Sequence, residues 1–163
     1  MTGETFRYPK GPLLADYARS GGGLVLTAGP LLAVDVAVWA GVALGTAALL
    51  FALFGLRTAQ RHATVVELDE DGVRARGPLG GRVSWSELRS VRLTYYSTRR
   101  DRREGWMHMT LRGGGTVKLE SSLDGFDLIA ERAAAAARAR RLPLGEATVQ
   151  NFAALGIDAD PEA

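Results

Sequence analysis

The chain has 163 residues, no cysteine and a formal net charge of +2. That length allows one compact domain with an anchor, and it excludes two enzyme-sized domains. The missing cysteine excludes a disulfide framework, a thiolate metal centre and a cysteine nucleophile.

In chain order, residues 1–20 are mixed in character and are read as a cytoplasmic N-terminal segment. From Gly21 to Leu56 the only charged residue is Asp35. This run of about 36 residues fits two minimal membrane spans of about 17 residues each. The sequence therefore predicts a transmembrane helical hairpin over 21–57, with spans near 21–37 and 40–57. Asp35 and Trp39 fall near its turn. A carboxylate is solvated at the headgroup layer but costly in mid-bilayer, and tryptophan suits the interface. Pro30 lies within the first span, where packing against a neighbouring helix tolerates it.

Other readings of this run fit less well. A single helix would be about 54 Å long, beyond the hydrocarbon thickness. A secretory signal has a short basic start, whereas about 20 mixed residues precede this run. A soluble hairpin would need a large partner surface for faces that are apolar all round.

Arg7, Lys10 and Arg19 precede the first span, Arg57 and Arg61 follow the second, and the turn holds no Lys or Arg. The positive-inside bias places both ends in the cytoplasm. Heavy use of Ala, Gly and Arg suggests a bacterial genome, hence a bacterial cytoplasmic (inner) membrane and a multi-pass protein with two spans. Gly41 and Gly45 form a G-x-x-x-G pattern that lets helices approach closely. The preferred reading is that it faces the first span, with a dimer interface as the other.

After a linker at about 58–63 the period changes to two. Val66 and Leu68, Val73 and Ala75, Val83 and Trp85, Val91, Leu93 and Tyr95, Met107, Met109 and Leu111, and Val117 and Leu119 each alternate with polar or outward residues. Asp71-Gly72 and Gly77–Gly81 read as turns. Six strands with one apolar face each need a cover. Asp124 is placed as an N-cap. Phe126, Ile129, Ala130, Ala133 and Ala137 form the stripe of a covering helix, which Pro143 ends. A second short helix at about 146–155 presents Val149, Phe152 and Leu155. Gly156 ends it, with Ile157 placed for a C-cap contact. The domain is set at 64–142, with 143–163 as a short helix and tail.

This order resembles the bacterial pleckstrin-homology-like (PH-like) membrane proteins. The likeness runs from Val65 to Leu142. It is carried by Leu68-Asp69-Glu70-Asp71-Gly72-Val73 and by Val83-Ser84-Trp85-Ser86-Glu87-Leu88-Arg89-Ser90-Val91. The resemblance implies a membrane α-helical hairpin plus an α+β domain. That domain would be an antiparallel β-sandwich or partly open barrel of six or seven strands, closed by a C-terminal helix. It also implies that Trp85 is a core residue, and Phe126 of the helix stripe is expected to be a core residue too. No catalytic or ligand-binding motif transfers with it.

Chemistry is sparse. His62 and His108 have no ligand near them in sequence, so no metal site is expected. Gly113-Gly114-Gly115 lacks phosphate-loop spacing. Glu67, Asp69, Glu70 and Asp71 lack calcium-loop spacing. Ser20, Ser84 and Ser86 have no neighbouring histidine with a third partner. The expectation is no enzyme activity and no cofactor.

Arg99, Arg100, Arg102 and Arg103, between the fourth and fifth strands, stand out. A solvated loop is the ordinary reading. Anionic phospholipid headgroups attract such cations at about 1 kcal/mol each, and a protein partner is a further reading. Nucleic acid is not expected. Tyr95, Tyr96 and Trp106 flank the loop. Counting strand directions along a single meander places this loop near the membrane and the Asp69–Gly72 tip away from it. The expected function is a membrane-anchored, non-catalytic binding module that contacts protein partners or anionic lipid headgroups. The alternative is an accessory or structural subunit of a larger membrane protein complex, with a membrane protein partner that the sequence does not name.

Overall fold

The computed structural model describes residues 3–78, 80–97 and 105–159. The chain is an α+β fold with four helices and two antiparallel sheets among these residues. In order they are β1 (Glu4–Arg7), α1 (Lys10–Ala33), α2 (Val38–Ala63), β2 (Val65–Leu68), β3 (Gly72–Arg76), β4 (Gly81–Ser84), β5 (Ser90–Tyr96), β6 (Trp106–Arg112), β7 (Thr116–Glu120), α3 (Phe126–Ala139) and α4 (Glu146–Ala154). A 3-10 turn, Trp85–Glu87, separates β4 from β5. Two compact units result. One holds the residues up to Tyr8 together with those from Thr64 onward, and the other is Pro9–Ala63.

The first unit corrects the expected boundaries. Residues 1–20 are not one segment, because β1 pairs antiparallel with β2 (Glu4↔Leu68, Arg7↔Val65). The helical pair is therefore an insertion between two neighbouring strands of one sheet. The C-terminal residues also belong to the domain, since α4 lies on β5. Asn151 Nδ2 donates to Leu93 O at 2.8 Å, and Leu93 N–H donates to Thr148 Oγ1 at 3.4 Å. β5 is an edge strand of its sheet. These two side chains satisfy backbone groups that another strand would otherwise seek.

The sheets have the orders β1-β2-β3-β4 and β5-β6-β7. The inward faces are those that alternation predicts, with Val66, Val73, Val83, Leu93, Met109, Leu111, Val117 and Leu119 all buried. The sheets meet where Gly81 lies against Thr116, and a Cβ on Gly81 would stand 2.1 Å from the Thr116 carbonyl oxygen. α3 closes the core with Phe126, Ile129, Ala130, Ala133, Ala134 and Ala137 buried. Its N-cap is Gly125, at φ 73, and not Asp124. A left-handed residue there is cheapest as glycine, and the Phe6 ring occupies the space a Cβ would need.

Trp85 is a second correction. It is half-buried on the 3-10 turn, and the fully buried residue is Leu88. Ser84, the last residue of β4, bonds Asp71 O and Ser86 Oγ through its hydroxyl. The chain then coils, and inward parity passes from Trp85 to Leu88. Arg140 holds this turn by donating from Nε to Leu88 O at 2.9 Å, and it also bonds Ser86 O. Leu88→Ala should cost about 2–5 kcal/mol, as buried leucines do. Trp85→Ala should cost less. Thermal unfolding of the two variants followed by circular dichroism checks the order.

In the second unit α1 and α2 run antiparallel. Asp16 pairs with Arg61, and the Tyr17 hydroxyl lies 3.3 Å from His62 Nδ1. Gly23 accommodates the Phe51 ring, and Gly55 lies beside Ser20. Helical structure runs beyond the apolar band at both flanks, so the expected linker at 58–63 is the last part of α2. Only α2 is long and apolar enough to cross a membrane on length and composition, among the described residues. The first half of α1 is polar, and its apolar part, Ser20–Ala33, spans only about 21 Å. Gly45 meets nothing within 4 Å and Gly41 meets only Val36, so the helices close on Gly23 and Gly55 instead.

Candidate functional site

Arg99, Arg100, Arg102 and Arg103 lie outside the described residues. The strands that carry them are described. β5 and β6 pair in register from Ser90↔Arg112 to Tyr96↔Trp106. Tyr96 and Trp106 thus form the last pair before the arginines begin.

The two rings stack, with centroids 6.1 Å apart and planes 22° from parallel. Cross-strand partners on one face bring side chains into such contact. Tyr96 is 46% exposed and Trp106 39%. On the same face His108 meets the Tyr96 ring edge-on at 5.2 Å. Its Nε2 lies 3.4 Å from Glu120 Oε1, but the geometry does not make a hydrogen bond. Glu120 lies directly across from His108 on β7. The outcome is a small aromatic platform, braced on one side and open on the other.

Its location follows from a chain of contacts inside the β-domain. Met107 N–H donates to Ser121 Oγ at 2.9 Å, and Ser121 N–H donates to Met107 O at 2.8 Å. Glu120 N–H donates to Tyr8 Oη at 3.4 Å, and Asp124 N–H to Arg7 O at 3.2 Å. The platform therefore sits at the end of the domain where Arg7 and Tyr8 lead into α1. Val65, across from Arg7, marks the return from α2. The single-meander count that placed the arginine loop does not apply, because the chain changes sheets between β4 and β5.

The other expected features are structural. Asp69 builds its own turn, with its Oδ1 accepting from Asp71 N–H at 3.0 Å and Gly72 N–H at 2.7 Å. Gly113 and Gly115 let the β6–β7 turn press on the backbone of Glu87 and Arg82. Phe126 is buried at the start of α3. A recess of about 480 Å³ lies between β5 and α4, and its one charged lining residue is Arg92. Among the described residues no group of three or more His, Asp or Glu is arranged to hold a metal ion.

The sequence places Tyr96 and Trp106 beside the arginines but not against each other. Stacking depends on register, and register is visible only in the hydrogen-bonded ladder. No family profile, curated protein or solved structure matches the chain.

Proposed function

We propose that this chain is a membrane-anchored, non-catalytic binding module of PH-like architecture. It works at the cytoplasmic face of a bacterial membrane, where it contacts anionic lipid headgroups or protein partners. The observation that carries the reading is an uncovered apolar helix inserted between two paired strands. None of the best α2 window is buried, and Leu49, Leu50, Leu53, Val42 and Trp39 are exposed. Water is a poor solvent for that surface and lipid a good one. Hydroxyls in the apolar stretch are bonded internally, as a bilayer requires. Thr27 donates to Gly23 O at 2.7 Å and Thr46 to Val42 O at 2.8 Å.

Two spans follow from one by connectivity. Pairing of Arg7 with Val65 returns both ends of the insertion to one strand pair. If α2 crosses from Val38 back to Ala63, α1 must first carry the chain across in the opposite sense. Its short apolar part is met by local thinning of the bilayer. The PH-like reading draws support from a four-stranded and a three-stranded sheet closed by a helix. The positions of Lys10, Arg19, Arg57 and Arg61 at the open end of the helix pair favour the cytoplasmic side for that end.

The lipid part of the proposal rests on the four arginines in the sequence between β5 and β6. The test uses the intact chain in nanodiscs. Amide exchange at 97–105 should be slower in anionic than in zwitterionic lipid. The difference should shrink with salt, and it should vanish when Arg99, Arg100, Arg102 and Arg103 are changed to Gln. Equal exchange in both lipids at low salt would leave a solvated loop or a protein partner as the loop's role.

A further inference from the structure

On the β5-β6-β7 sheet, the face opposite the core carries no aliphatic side chain, and the register sorts its residues into rows. Tyr96 and Trp106 form the first row, and His108 and Glu120 lie in the second. Arg92, Thr110 and Lys118 form the third, and Arg112 follows in the fourth. Each strand thus brings one cation to the same end of the face, with the aromatic pair at the other end. Arg92, Arg112 and Lys118 are all exposed. None of the three forms an ion pair with a described carboxylate, whereas Arg76 pairs with Glu67 and Arg138 with Asp158.

We infer that this face docks an acidic protein segment, an extended chain with an aromatic residue at one end and carboxylates at the other. The inference rests on the protein-partner side of the proposed function and names the chemistry of that partner. Charge complementarity selects the occupant. Arginine takes a carboxylate through two parallel hydrogen bonds, and lysine adds a point charge. Exposed tyrosine and tryptophan are the side chains that most often anchor a protein contact. Tyr96 and Arg92 are four residues apart on one strand, a step of about 13 Å. A ligand chain lying along the strands therefore meets the rings and the cations about four residues apart. Single-stranded nucleic acid fits less well. It needs ring faces free in series for successive bases, whereas Tyr96 and Trp106 stack on each other. Glu120 also stands in the row that the phosphates would cross.

The test uses the full-length protein in zwitterionic nanodiscs and a fluorescein-labelled peptide with one tryptophan and, four residues on, a run of three glutamates. Fluorescence anisotropy should show binding that weakens with salt. Changing Arg92, Arg112 and Lys118 together to Gln should weaken it about tenfold or more, as three exposed ion pairs allow. Changing Arg99, Arg100, Arg102 and Arg103 to Gln should weaken it less. No binding by the unmutated chain, equal binding by the triple variant, or a larger loss in the quadruple variant would overturn the inference. So would tighter binding of an oligothymidine of equal charge, which would make the face a nucleic-acid site. If the triple variant does not fold, the unmutated chain decides with a second peptide of the same composition whose tryptophan sits among the glutamates. That peptide should bind more weakly, and equal binding of the two would overturn the inference. Entry into the discs reports the membrane anchor separately. A chain that enters the discs and ignores the peptide overturns the docking face alone. A chain that binds the peptide but stays outside the discs overturns the anchor alone.

Discussion

Deleting residues 1–8 is expected to unfold the β-domain, although these residues lie before α1 and α2. β1 supplies the outer strand of a four-stranded sheet. Phe6 covers Gly125, and Tyr8 is buried with its hydroxyl on Glu120 N–H. Truncating a buried aromatic costs about 3–5 kcal/mol. Loss of buried Tyr8, with half-buried Phe6 and a strand's hydrogen bonds, is large against a typical domain stability of about 5–15 kcal/mol. The complementary experiment keeps β1 and removes the helices. Arg7 and Val65 are register partners, and antiparallel neighbours close with a two-residue turn. Joining Tyr8 to Thr64 through Asn-Gly should give a soluble domain that unfolds cooperatively. Gel filtration and circular dichroism read both outcomes. If the shortened chain is molten, the domain depends on its helices for more than attachment.

Phe152→Ala should also cost about 3–5 kcal/mol. Phe152 is the largest fully buried side chain, and it fixes α4. With α4 released, Leu93 N and O lose Thr148 and Asn151. The β5 edge then becomes a template for another chain. The variant should show both a lower denaturant midpoint and a concentration-dependent rise in oligomers. Asn151→Ala should lose only about 1–3 kcal/mol, the cost of a buried carbonyl left unpaired. An unchanged midpoint for Phe152→Ala would mean that α4 does not stabilise the domain.

What the sequence discloses depends on the range of the signal. Period-two alternation is local, so the inward placement of Val66, Val83, Leu93 and Val117 is legible in the residues themselves. The stripe from Phe126 to Ala137 is legible for the same reason. β1 carries almost no local signal, since Glu-Thr-Phe-Arg has one apolar residue and its partner lies beyond the whole helical insertion. Its pairing is a tertiary fact. The helix ends differ from expectation because apolarity marks only the middle of the helical pair, whereas Asp16–Arg61 and Tyr17–His62 keep the helices paired past that stretch. Trp85 differs because alternation extends one residue beyond the point where Ser84 turns the chain. The candidate site is half legible. The arginines and aromatics are visible as neighbours in sequence. The contacts that tie the aromatic pair's strands to Tyr8 are not, because they depend on Ser121 and Glu120 linking β6 and β7 to β1.

A binding module on the inner face of a membrane requires the helical pair to cross the bilayer twice, with the β-domain held on the cytoplasmic side. Cells carrying a reporter pair decide it, with one reporter fused after Ala163 and the other inserted in the connection 34–37. Cytoplasmic activity at Ala163 together with external activity at the connection is the predicted result. External activity at Ala163, or cytoplasmic activity at both positions, would contradict it.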